Sequence, residues 1–126
     1  MPESKIIINM LTPSLNKFLR THFMKRYWLK DQFMWLLKIA GSGSIDEAGE
    51  REKRKIKLIS YRKSFLDKDN FIGGCQPLIN ALKGLRLIYD DSSEFLDLET
   101  EQVIEKKRNN WRTEIIISTP KKRGKA

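Results

Sequence analysis

Four aspartates are the residues whose type and spacing could do chemistry. Asp67 and Asp69 stand two apart at the end of a stretch of alternating character, and Asp90 and Asp91 adjoin after a second short extended segment. If extended backbone runs through positions 67–69, both carboxylates leave one face. Two carboxylates in contact repel by roughly 4 kcal/mol at an effective dielectric near 20, so a converging group asks for a divalent cation. Hard oxygen donors of this kind suit Mg²⁺ or Mn²⁺. A metal held between them and a phosphodiester would polarise the phosphoryl oxygen and activate water. The same residues also suit a structural role, with Asp69 or Asn70 capping a turn or helix and Asp90, Asp91 and Ser92 forming a polar loop.

Other chemistries find little support. The chain has one histidine, His22, and one cysteine, Cys75, far apart in sequence. A multi-cysteine zinc site and an intramolecular disulfide are excluded. A Cys–His nucleophile pair has no local base beside Cys75, for which burial is the simpler expectation. Gly73 and Gly74 lack the Walker spacing and read as a turn between the acidic strand end and the next helix.

The elements that must position the aspartates follow from periodicity. Residues 5–11 read as a strand, closed by Thr12, Pro13 and Ser14. Residues 18–40 are helical in pattern, with Phe23, Tyr27, Phe33, Met34 and Leu37 recurring at spacings near three and four. Gly41 ends that helix and opens a polar loop through Gly49. Residues 54–66 alternate as a strand, with Ile56, Leu58 and Ser60 on one face and Lys57, Ile59, Tyr61 and Lys63 on the other. A short helix spans 76–84 with Pro77 in its first turn, and 87–89 is extended. Segments 95–105 and 111–118 read as a closing hairpin around 106–110. The order β-α-β-α-β-β predicts an α+β fold, a small mixed β-sheet with two helices. One domain over 1–119 and a basic, disordered tail over 120–126 account for the 126 residues.

Charge narrows the partner. With 25 Lys and Arg against 16 Asp and Glu, the net charge is +9, and the pI is about 9.8. A small basic domain of this kind suits a polyanion, since each cation near a phosphate releases condensed counterions. Lys17, Arg20, Arg62, Lys63 and Lys68 are candidate phosphate contacts; each is equally readable as a solvated surface charge. Phe23, Tyr27, Trp28 and Trp35 share the long helix, where helical spacing favours core or interface over base stacking. The longest apolar run falls well short of the roughly 20 residues of a membrane span, so no membrane association is expected and a reduced, cytoplasmic location is.

The order of these motifs resembles the RusA family of Holliday junction resolvases. The stretch from Asp67 to Asp91 is similar to the family's D-x-D-N, then a helix bearing A-L (Ala81, Leu82), then I-x-D-D-S. Pro13, Ser14, Leu15 and Asn16 resemble its P-S-x-N loop. The resemblance covers nearly the whole chain. It implies a homodimeric, Mg²⁺-dependent endodeoxyribonuclease that cleaves branched or four-way junction DNA in recombination and repair, with no small-molecule cofactor. Asp67, Asp69 and Asp91 match the family's catalytic, metal-binding aspartates, with Asp90 beside them. Asn70 matches the motif's Asn and would orient the loop. Two positions depart: Gln76 stands where the family commonly has a lysine, and Asn80 where it usually has an aspartate. These departures keep a second reading open, a catalytically weakened protein that binds nucleic acid without cutting it.

Overall fold

Four segments alternate between a buried and an open side, and they assemble into one mixed sheet. The computed structural model describes residues 3–119, with the side chains of Phe23 and Arg26 left out. The basic tail expected over 120–126 therefore lies outside the described residues, as does the side chain of Phe23. The strands are β1 (Ser4–Ile8), β2 (Arg54–Arg62), β3 (Leu96–Ile104) and β4 (Arg112–Ser118). The helices are α1 (Leu15–Arg20), α2 (Phe23–Ile39), α3 (Lys68–Gly74) and α4 (Gln76–Gly84). The fold is α+β, as the sequence indicates.

The expected closing hairpin does not form. The sheet order is β1-β4-β2-β3, so β4 lies between β1 and β2, antiparallel to both. β3 pairs with β2 in parallel, with Arg54 opposite Leu96 and Arg62 opposite Ile104. Polarity explains the choice. β4 carries Ile115, Ile116 and Ile117 and suits an interior strand, whereas β3 carries Asp97, Glu99 and Glu101, all exposed, and suits an edge. The β2–β3 pair needs a crossover, and α3 and α4 supply it.

Two helices were expected and four are present among the described residues. The long helical segment breaks at Thr21, whose ψ of 136° is extended, and restarts at His22, whose Nδ1 accepts from the Met24 amide. The stretch read as a turn at Gly73 and Gly74 is instead the end of α3. A Cβ at Gly74 would sit 1.8 Å from the Pro13 carbonyl oxygen, and one at Gly73 would lie 2.8 Å from the Leu15 side chain. These glycines serve close helix–loop approach, not chain reversal.

The core lies on one face of the sheet. Ile6, Ile8, Ile56, Leu58, Ile115 and Ile117 meet Phe33 and Leu37 of α2 and Leu78 and Leu82 of α4. Burying each such side chain contributes about 1.5–3 kcal/mol before the cost of ordering. Ile56, Leu58 and Ser60 share the buried face of β2, as expected, whereas Tyr27 is exposed. Across the open face Lys57 pairs with Glu99 and Glu101. Among the described residues no helix is long and apolar enough to cross a membrane.

Candidate functional site

The D-x-D pair sits on a helix start, not on a strand end. Asp67 caps α3: its carboxylate accepts from the Asn70 backbone amide and from Asn70 Nδ2, both at 2.9 Å. Hydrogen bonding from the Asn70 amide, then from its side chain, holds the Asp67 carboxyl below its ordinary range. Asn70 Oδ1 in turn accepts from the Asn16 amide at 3.2 Å, tying the first turn of α1 to α3. Asp69 is exposed in the first turn of α3. Asp67 is the extended cap residue and Asp69 is already helical, so the continuous extended backbone that would put both on one face is absent.

Asp91 belongs to a different constellation. Gln76 Nε2 donates to Asn80 Oδ1 at 2.8 Å and to Asp91 Oδ2 at 3.2 Å. Lys83 Nζ lies 2.8 Å from Asp90 Oδ1 and 3.9 Å from Asp91 Oδ1. The Lys83 ammonium, then the Asp91 backbone N–H, lowers the Asp90 carboxyl to about 2. The same contact raises Lys83. Asp91 and Gln76 line a hollow of about 460 Å³ together with Ile72, Ser93, Asp97 and Lys53.

Topology separates Asp67 from this hollow. Asp67 follows the C-terminal end of β2, and Asp91 precedes the N-terminal end of β3; in a parallel pair those ends are opposite. Nine residues separate Asp67 from Gln76, a helical path of about 14 Å. Asp69, Ile72 and Gln76 are spaced three and four apart through α3 and α4, which abut at Cys75 in right-handed conformation. Ile72 and Gln76 line the hollow, and Asp69 does not.

The three aspartates do not form a ready metal cage in this arrangement. Asp67 engages both oxygens with Asn70, and the Lys83 ammonium already supplies positive charge beside Asp90 and Asp91. Among the described residues no three His, Cys, Asp or Glu side chains gather so as to hold a metal ion. The aspartates expected to hold Mg²⁺ are thus divided between the cap of α3 and the Lys83 contact.

The basic candidates divide. Arg62, expected at the surface, is buried at 7% exposure. Its Nε donates to Ser60 Oγ at 2.7 Å, and Nη2 donates to the Thr12 carbonyl and Oγ1 at 3.1 Å each. A strand alternating strictly inward puts Arg62 on the Ile56–Leu58 face, which overrides its charge. Lys17, Arg20, Lys63 and Lys68 are exposed. Lys17 and Arg62 line a second hollow, about 570 Å³, with Lys25 and Trp28. Cys75 is buried, and burial pushes its thiol up to about 11, so it is no nucleophile at neutral pH.

Sequence reasoning missed Asp97, Lys53 and Lys25. Asp97 enters the acidic hollow only because β3 runs parallel to β2, and that pairing leaves no mark in the alternation. Compared with known proteins, the chain matches no family model, and no curated protein is significantly similar to it.

Proposed function

We propose that this protein is a RusA-like, homodimeric branched-DNA-binding protein whose acidic centre is catalytically weakened. The observation that carries this reading is the neutral Gln76–Asn80 amide pair bound to Asp91. Where the family resemblance expects a lysine and an aspartate, this chain places two uncharged amides. An amide cannot stabilise the charge that develops on a phosphoryl group as an ammonium does. Lys83, 3.9 Å from Asp91, is engaged more closely by Asp90. The net charge of +9 supports the polyanion partner. Dimerisation follows from the resemblance and from symmetry, because a four-way junction is roughly two-fold symmetric and paired contacts need a symmetric protein.

A second reading, the Mg²⁺-dependent endodeoxyribonuclease itself, is favoured by the Asp69, Ile72, Gln76 stripe. A rearrangement on DNA binding that carried Asp69 to the hollow lined by Asp91 and Asp97 would gather carboxylates there. Hydrolysis would then resolve a Holliday junction. One experiment separates the readings: a labelled synthetic four-way junction incubated with protein in Mg²⁺ or Mn²⁺, with Asp69→Asn as control. Tight, salt-sensitive binding without nicking is expected. Nicking abolished by Asp69→Asn would replace the first reading with the second, and absence of any junction binding would sink both.

A further inference from the structure

The hollow beneath Trp28 carries a buried cation with no counter-charge. Arg62 is more than nine-tenths buried, and no carboxylate pairs with it among the described residues. Three of its five N–H donors go to Ser60 and Thr12, and none of the described residues accepts from Nη1. Among the described residues no buried side-chain polar atom lacks a partner, so Nη1 keeps some solvent contact, and Arg62 lines the hollow. A buried guanidinium without an anion is costly, and an anion arriving at Nη1 would relieve that cost. Burial already lowers the Arg62 pKa, consistent with this deficit.

The remaining walls fit a nucleotide. Lys17 and Lys25 add two further cations, no acidic side chain lines the hollow, and Ser14 offers a hydroxyl. Trp28 lines the same hollow and leaves 61% of its surface exposed. The volume of about 570 Å³ lies in the range of small-ligand sites. We propose that this hollow binds one nucleotide of unpaired, single-stranded DNA, with Arg62, Lys17 and Lys25 on the phosphodiester and Trp28 stacked on the base. The site rests on the nucleic-acid reading above and deepens it, since branched DNA exposes unpaired bases at its branch point. It is separate from the acidic hollow and shares no lining residue with it.

The test uses the full chain, a labelled oligothymidylate of about 16 nucleotides and a blunt duplex, read by fluorescence anisotropy across a salt series. Trp28→Ala is expected to weaken oligothymidylate binding about tenfold and to leave duplex binding unchanged, and Trp28→Phe to restore most of the loss. Lys17→Gln with Lys25→Gln should flatten the salt slope by about 1.4, near 0.7 per lost phosphate contact. Far-UV circular dichroism verifies folding of each variant, and these surface changes spare Arg62. Unchanged oligothymidylate affinity in both variants would overturn the site alone, as would equal losses on duplex. A smaller mass for Trp28→Ala by light scattering, with affinity intact, would assign Trp28 to a contact between copies and likewise overturn it. Wild-type protein that binds no DNA at all would remove both the site and the function it rests on.

Discussion

Gln76 uses a single amide nitrogen to reach Asn80, one helical turn ahead, and Asp91, across the hollow from the loop after α4. The contact joins the crossover helix to the strand-entry loop without any net charge on the helix side. Restoring charge should therefore change chemistry more than architecture. The double variant Gln76→Lys with Asn80→Asp is expected to bring Mg²⁺-dependent nicking of a four-way junction above the wild-type background, measured on denaturing gels. Nicking that stays at the wild-type level would show that these two positions are not what limits cleavage.

Asp67 acts as a helix cap, and its replacement should register in stability. Asp67→Ala lowers the thermal midpoint, whereas Asp67→Asn, which can also accept from the Asn70 amide, keeps most of it. Equal losses for both would mean that the charge, rather than the cap, is what matters at this position.

Acid should weaken the link between α4 and the loop after it. The Asp90 carboxyl ordinarily titrates at 3.8 and is held at about 2 by Lys83. A depressed folded value means that its stabilisation is present above 3.8 and is lost as pH falls toward 2. Thermal midpoints measured through that window should fall less steeply for Lys83→Met than for wild type. Parallel curves would contradict the pairing.

Gly74→Ala tests the close approach between α3 and the loop after β1. Its Cβ would meet the Pro13 carbonyl oxygen at 1.8 Å, a backbone atom that cannot swing aside. Overpacking of this kind costs about 1–3 kcal/mol, read from urea midpoints. An unchanged midpoint would mean that the loop moves freely.

The strands were legible from alternation, and their partners were not. A period of two fixes which face of a strand is buried, and it says nothing about which neighbour that strand takes. Thus Ile56, Leu58 and Ser60 were placed correctly, while β3 and β4 were wrongly joined. Helix α3 was hidden because two glycines lower helix propensity, and their reason lies at Pro13 and Leu15, about sixty residues away. The Gln76–Asn80 hydrogen bond was not anticipated, although a spacing of four on one helix permits it. Asp97 was not readable, because its place beside Asp91 depends on a parallel crossover.

The strand at the middle of the sheet is the last of the four to be synthesised. β1 has β4 as its sole strand partner, and β4 also covers one edge of β2. A growing chain that has reached residue 104 can pair β2 with β3, yet its first strand still has nowhere to dock. More than a hundred residues separate Ile6 from Ile115 across that final pairing, which is the kind of distant contact that slows folding. Sheet completion is thus timed by the arrival of β4, and loss of that strand would leave β1 stranded and β2 open along one side.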